Sequence, residues 1–338
     1  MERNHKLDFL RAVSIICVLI IHCVVLYEPT TAAERVIGGW LEMVTRPCIA
    51  VFLFISGYLF KTNLQDSSYL WKKYKRVIMP YLFFCLVTLL SRGRSQIVTY
   101  IMSKPIDLII DILLGNIWGI YYFVFVIVFL YTLAFIILRN PKLRTQLIPL
   151  TLLLFVVNLL QGAYYYPIVD TFNVSNSRLA ILYSERFILS WPAFFFLGIL
   201  FKKYNGQVLI ERHSQKVIFF WVFIFTFYNC LYFIGIENIY EYNSVIGTFY
   251  SLTTIAALLL FNIKNKIIDF LSEVSYSIYL SHVFFVAELK PIGDDLGIEW
   301  SLLSWIIVSF FVSLIGSLIL YLIAKLIFKQ KSYLIIGA

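Results

Sequence analysis

LDFLRAVSIICVLIIHC, residues 7–23, is an apolar run that three ionisable side chains interrupt. Asp8 and Arg11 stand near its beginning, and His22 stands near its end. With its flanks, the run reaches the roughly 20 residues that a helix needs to cross a bilayer. An ionisable side chain is costly inside lipid, so each needs a partner or a water-filled cavity. The stretch therefore predicts a transmembrane helix that carries a functional polar face.

Arg11 and His22 are predicted to share one face of this helix. Eleven residues at 100° each make three turns plus about 20°, which leaves roughly 16 Å between the two positions along the axis. Asp8 precedes Arg11 by three residues and can form an ion pair with it. Spacing alone also allows a purely structural interpretation. Asp8 and Arg11 would then anchor the helix at the membrane surface, while His22 would hydrogen-bond to a neighbouring helix.

The composition of the whole chain is that of a membrane protein. Of its 338 residues, 61% are hydrophobic and only 14% are charged, which is too little polar surface to cover a soluble globule. The net charge of +9 comes from Lys and Arg clusters that lie between apolar runs, a pattern of membrane topology. Composition therefore indicates the lipid bilayer as a partner and excludes nucleic acid.

Ten transmembrane helices are predicted, which makes the fold class all-α and places residues 1–338 in one membrane domain. A cleaved signal peptide is the alternative for the first run, but Asp8 and Arg11 lie inside it. The amphipathic stretch PIDLIIDILLG, with Asp107 and Asp111, predicts a helix at the membrane surface. The predicted spans are 7–27, 45–60, 77–91, 117–138, 145–161, 183–201, 217–235, 244–262, 268–287 and 301–324.

Basic residues are divided unequally between the two predicted sides of the membrane. The side of the N-terminus holds 19 Lys and Arg, and the other side holds 8. The positive-inside rule therefore predicts that both termini are cytoplasmic. The five cysteines show no metal-binding or disulfide spacing, so free thiols and no metal site are expected.

Motifs along nearly the whole chain resemble those of the acyltransferase family 3 membrane proteins. The hallmark of that family is an Arg followed eleven positions later by a His in an LDxLR context, as in Arg11 and His22. The other matching segments follow in the family's order: FLFISGYLF at 52–60, KKYKRVIMPYL at 72–82, IYYFVFVIVFLY at 120–131, FFFLGILF at 194–201 and VSYSIYLSHVFF at 274–285.

The resemblance implies transfer of an acyl group, commonly acetyl, from cytoplasmic acyl-CoA to a hydroxyl of a glycan or glycolipid in the bacterial envelope. Acyl-CoA, with acetyl-CoA the expected form, would be a substrate, and no bound cofactor is expected. Its phosphates would meet Arg11 and the basic run, with Arg76 placed ahead of Lys73 because it aligns with the family motif. Ser56 would let the donor, or another helix, approach closely.

Within this interpretation His22 is the general base for the acceptor hydroxyl, and Arg11 and Asp8 complete the catalytic group. His282 or Tyr279 could orient His22, although a lone helix histidine is as often a structural group. Arg46 and Glu185 could line the acceptor side, or they could simply reach headgroups and pair with neighbouring helices.

The resemblance leaves two points to consider, the extent of the chain and an alternative function. Longer relatives carry an additional soluble domain after the membrane helices, and no such domain is expected here beyond the tail at 331–338. Polar stripes through helical bundles also serve translocation, so a transporter of a small solute or a polysaccharide is the alternative function.

Overall fold

The computed structural model describes residues 3–62, 67–91, 105–172, 190–236 and 244–337, except for the side chains of 165–172. These residues form helices and no strand, which confirms the all-α prediction for the described part of the chain. The α-helices are α1 His5–Val25, α2 Ala32–Thr45, α3 Cys48–Tyr58, α4 Ser68–Ser91, α5 Pro105–Leu114, α6 Tyr122–Arg139, α7 Pro141–Thr145, α8 Leu147–Phe172, α9 Pro192–Lys203, α10 Gly206–Arg212, α11 Ser214–Ile234, α12 Val245–Leu258, α13 Lys266–Asp295 and α14 Leu302–Phe328, and a 3-10 helix follows at Lys329–Leu334.

Eight segments in the described ranges are long and apolar enough to cross a membrane. The predicted span 244–262 corresponds to the shorter apolar helix α12. For the predicted span 183–201, the described part begins at residue 190 and contains α9. The eight segments make this a multi-pass membrane protein, and the count of ten stays a prediction.

Two apolar helical segments begin before the predicted spans. The predicted span 45–60 corresponds to α3, and α2 extends the same apolar segment back to Ala32, to 27 residues in all. Polar residues such as Glu34 obscured its beginning, where a capping box between Thr31 and Glu34 starts the helix. The helix that contains the predicted span 77–91 begins at Ser68, so the basic run lies inside α4 and does not precede it.

Helix α1 packs against α13, α3, α2 and α14. The side chain of Asn4 caps its first turn by accepting a hydrogen bond from the backbone N–H of Leu7. Leu10, Ile15 and Leu19 are fully buried, so the apolar positions of α1 are used for contact with protein. The helix that the sequence singles out is therefore surrounded by other helices.

Two motifs of the chain pack directly against each other. A Cβ atom placed on Gly57 of α3 would lie 1.9 Å from the carbonyl oxygen of Phe195 in α9. One placed on Gly198 of α9 would lie 2.1 Å from the carbonyl oxygen of Phe54. Only glycine allows the two backbones to approach this closely, so the close approach of another helix occurs at Gly57, the neighbour of Ser56.

Polar contacts join the helices at both ends of the bundle. At one end Arg3 bonds Asp8 and Asp269, and Lys6 pairs with Glu211. Those hydrogen bonds raise the pKa of Arg3 and lower the pKa of Glu211. At the other end, the Lys290 ammonium lies 2.7 Å from the Glu28 carboxylate. Arg3, Lys6 and Glu211 belong to segments that the prediction places on the same side of the membrane, and they lie together at one end of the bundle.

The amphipathic stretch with Asp107 and Asp111 forms helix α5, and its place at the membrane surface stays a prediction. Helix α5 has no buried residue, and the hydroxyl of Tyr81 in α4 donates a hydrogen bond of 2.5 Å to the carbonyl oxygen of Ile112. All five cysteines are free.

Candidate active site

A cavity of about 330 Å³ lies beside α1 and brings together most of the residues that the sequence singles out. Helices α1, α3, α4, α6 and α13 contribute its walls, and each carries one of the sequence motifs. The ionisable or polar lining residues predicted from the sequence are Arg11, His22, Ser56, Lys73, Arg76 and Tyr279.

One end of the cavity is cationic. Arg11 comes from α1, and Lys73 and Arg76 come from the first turns of α4. The Lys73 ammonium lies 5.4 Å from the ring centre of Tyr131 and 5.8 Å from that of Tyr69. These aromatic faces hold the ammonium without neutralising it. The arrangement leaves positive charge available to an anionic ligand.

Asp8 lies at the side of this cationic end, where it joins α1 to α13. Its Oδ1 atom accepts a hydrogen bond of 2.6 Å from the hydroxyl of Ser272, and its Oδ2 atom accepts one of 2.8 Å from Nε of Arg3. The distance from Oδ1 to Nη1 of Arg11 is 4.0 Å, so the predicted Asp8–Arg11 ion pair is present. Because other donors engage Asp8 more closely, it compensates only part of the Arg11 charge.

The other end of the cavity is lined by His22. The ring of His22 lies beside that of His282 from α13, with 5.1 Å between the ring centres. Nδ1 of His282 lies 2.9 Å from the carbonyl oxygen of Ile278. A carbonyl oxygen can only accept, so Nδ1 carries a hydrogen and Nε2 of the neutral ring carries a lone pair. Nε2 is buried and has no hydrogen-bond partner among the described residues.

Tyr279 lines the cavity together with His22. Its hydroxyl donates a hydrogen bond to the carbonyl oxygen of Ile120, and its ring centre lies 6.4 Å from that of His282. The hydroxyl is therefore committed to the backbone, and Tyr279 shapes the cavity through its ring. His282 is the residue of the two that contacts His22 directly.

Arg46 lies at the joint between α2 and α3, because Pro47 lacks an N–H and ends the hydrogen-bond ladder of α2 there. Its Nη2 atom lies 2.5 Å from Oε1 of Glu42, one helical turn earlier. Arg46 is absent from the cavity lining, and Glu185 lies outside the described residues.

Several lining residues were missed by the sequence prediction. Tyr276 and Glu273 come from the same helix as His282, at one and two turns' distance from the residues that were named. Gly337 lies beyond the last span, in the segment predicted to be a simple tail. For Tyr276 and Glu273, helical periodicity around His282 could have identified them, whereas nothing in the sequence placed Gly337 at the cavity.

The fold and this site define a class of protein, namely multi-pass helical membrane proteins that collect ionisable side chains in one internal cavity. A family model described as an acyltransferase domain matches residues 4–322, nearly the whole chain. The chain belongs to acyltransferase family 3 and is a membrane acyltransferase. No match was found among curated proteins or among solved structures. The family assignment favours acyl transfer over the transporter alternative.

Proposed function

We propose that the protein transfers an acyl group, expected to be acetyl, from cytoplasmic acyl-CoA to a hydroxyl of a surface polysaccharide or exopolysaccharide glycan. The observation that carries this proposal is a single cavity with a cationic end at Arg11, Lys73 and Arg76 and a histidine end at His22. The two ends match the two parts of an acyl-CoA, which is anionic at one extremity and reactive at the other.

The donor would bind with its phosphates at the cationic end. Arg11 and Arg76 present planar guanidinium groups that can bond two phosphate oxygens at once, and Lys73 adds a point charge. Arg11 and His22 are separated by roughly 16 Å along α1, a distance that the long pantetheine arm can span. The thioester would then lie beside His22. Ser56, on the face of α3 that lines the cavity, would contact the arm.

His22 would act as the general base for the acceptor. A sugar hydroxyl is a poor nucleophile at neutral pH, so its proton must leave as the new bond forms. The proton passes to the imidazole of His22 while the hydroxyl oxygen attacks the thioester carbonyl carbon. The C–O bond of the ester forms, the C–S bond breaks, and the proton is finally returned to the sulfur of CoA. Asp8 and Arg11 lie too far along α1 to take part in this proton transfer.

His282 would set the tautomer of His22. Because Nδ1 of His282 is held by the Ile278 carbonyl oxygen, its Nε2 lone pair can accept an N–H from His22. The other nitrogen of His22 would then carry the lone pair that accepts the hydroxyl proton. The 5.1 Å between the ring centres supports this positioning role.

The proposed site requires a defined orientation in the bacterial cytoplasmic membrane. The excess of Lys and Arg on the side of the termini supports cytoplasmic termini, and it puts the cationic end of the cavity toward the acyl-CoA pool. The histidine end then lies beyond the middle of the bilayer, where an acceptor arriving from outside could meet the thioester.

The proposal is tested by comparing acylation of envelope glycans in cells with the wild-type chain, with the His22→Ala variant and without the chain. Purified protein supplied with labelled acetyl-CoA and an isolated glycan gives the same comparison in vitro. Label should enter the glycan only with the wild-type protein. Movement of unmodified solute into liposomes, without consumption of acetyl-CoA, would support the transporter alternative and refute the proposal.

A further inference from the structure

The polypeptide turns back toward the cavity after α14. Helix α14 ends at Phe328, and Lys329 has a positive φ of 48°, at which the chain changes direction. The 3-10 helix Lys329–Leu334 then packs against α14 and α4. Ile336 is only 1% exposed, although it follows the last predicted span by twelve residues. Burial of this apolar side chain holds residues 329–337, here called the return segment, against the bundle.

The return segment reaches the cationic end of the cavity through Gly337. This glycine lines the cavity and has a φ of 82°, a conformation that favours glycine. A Cβ atom placed on it would lie 2.3 Å from Cδ1 of Tyr276, another lining residue. The hydroxyl of Tyr276 donates a hydrogen bond of 2.8 Å to the carbonyl oxygen of Val77, the neighbour of Arg76 in the chain.

The family match ends at residue 322, so the return segment is outside the region by which the family is recognised. It nevertheless supplies part of the wall around the same cavity. A wall built from residues outside the matched region can make the cavity of this chain different from that of other family members.

We propose that the return segment is part of the donor-binding site and that Gly337 determines how much room the donor has beside Arg76. This inference rests on the proposed function. Without a side chain at Gly337, the return segment lies directly against the ring of Tyr276 in the cavity wall. Any side chain at this position would push that ring into the space that the pantetheine arm would take as it leaves the phosphate contacts.

The test is to titrate a non-reactive thioether analogue of acetyl-CoA into the purified full-length protein in detergent. The variants are Gly337→Ala and Gly337→Val, which add increasing bulk at the cavity wall. The matched control is Gly297→Val, at a glycine with a φ of 67° and no atom within 4 Å of a built Cβ. The control introduces similar backbone strain without touching the cavity. Thermal unfolding and size-exclusion profiles establish that each variant is folded.

We expect the dissociation constant of the analogue to rise from wild type to Gly337→Ala to Gly337→Val, by about five- to hundredfold in the last, because overpacking of this size costs about 1–3 kcal/mol. Gly297→Val should bind as the wild type does. If the wild-type protein binds and folded Gly337→Ala binds equally well, the role of the return segment is refuted while the proposed function stands. If the wild-type protein itself does not bind the analogue, the proposed function and this inference both fail.

Discussion

At the scale of single residues, His22 is the side chain on which the proposed chemistry depends. Replacement by alanine removes the proton acceptor but leaves the cationic end of the cavity untouched. We therefore expect His22→Ala to lower the rate of acyl transfer by about 10²- to 10⁴-fold, with unchanged affinity for an acyl-CoA analogue. Initial rates with labelled acetyl-CoA and a binding titration on the same preparation measure both quantities. A folded variant with the wild-type rate would mean that His22 only packs against neighbouring helices and is not the general base.

Arg76 and Lys75 are adjacent in the chain but face different surroundings. Both residues are exposed, but Arg76 lines the cavity, whereas the ammonium of Lys75 lies over the ring of Trp71, 5.5 Å from its centre. Loss of a charge-assisted contact to phosphate costs about 1.5–3 kcal/mol, so Arg76→Ala should weaken donor binding by roughly ten- to hundredfold. Lys75→Ala removes the same charge from the same helix and should have little effect. Equal effects of the two variants on the dissociation constant would show that only overall charge matters.

His282 offers a test of positioning as distinct from general stability. His282→Ala should lower kcat by up to about hundredfold, because a displaced catalytic group loses its aligned geometry, while KM for the donor stays constant. His282→Gln should recover part of kcat, since its amide oxygen can accept an N–H from His22 in place of Nε2. A parallel change of kcat and KM in both variants, or no difference between them, would contradict the positioning role.

At the scale of helices, the contact between α3 and α9 holds one wall of the cavity. Ser56 lines the cavity, and its neighbour Gly57 faces the backbone of α9. One side of α3 therefore lines the cavity while another side packs against α9. A methyl group at Gly57 would meet the Phe195 carbonyl oxygen at 1.9 Å, where the backbone cannot yield cheaply. The motifs at 52–60 and 194–201, which are far apart in sequence, are thus two halves of one packing interface.

The glycine contact predicts that Gly57→Ala destabilises the protein, by about 1–3 kcal/mol or more, because the helices must separate. Thermal unfolding in detergent, followed by the loss of the monodisperse species, measures the effect. Gly119→Ala is the control, since a Cβ built there meets no atom within 4 Å. An unchanged melting temperature in Gly57→Ala would mean that the two helices do not touch as described.

At the scale of the whole molecule, the orientation in the membrane decides which substrate can reach which end of the cavity. The proposed orientation predicts that a reporter active only outside the cell stays inactive when it is fused behind Ala338. The same reporter should be active in a fusion that ends at Gly297, in the loop between α13 and α14. Activity at the first position with inactivity at the second would reverse the topology and place the cationic end outside.

Window-averaged hydropathy explains why the sequence prediction missed where two helical segments begin. The polar residues at the beginning of α2 and α4 lower the local hydropathy although they belong to the helices. Pro47 interrupts the same apolar segment and places Arg46 at the joint between α2 and α3. Hydropathy averages over a window and does not detect such caps and breaks.

The sequence by itself determined the membrane class, the family and the common face of Arg11 and His22, because these follow from hydropathy, motif order and the pitch of one helix. Only the tertiary structure decided that His282 is the neighbour of His22, that Gly57 faces Phe195, and that Gly337 returns to the cavity. The physical reason is the range of the interactions. Periodicity describes the geometry within a helix, whereas these contacts depend on how separate helices pack against each other, which no local pattern of residues encodes.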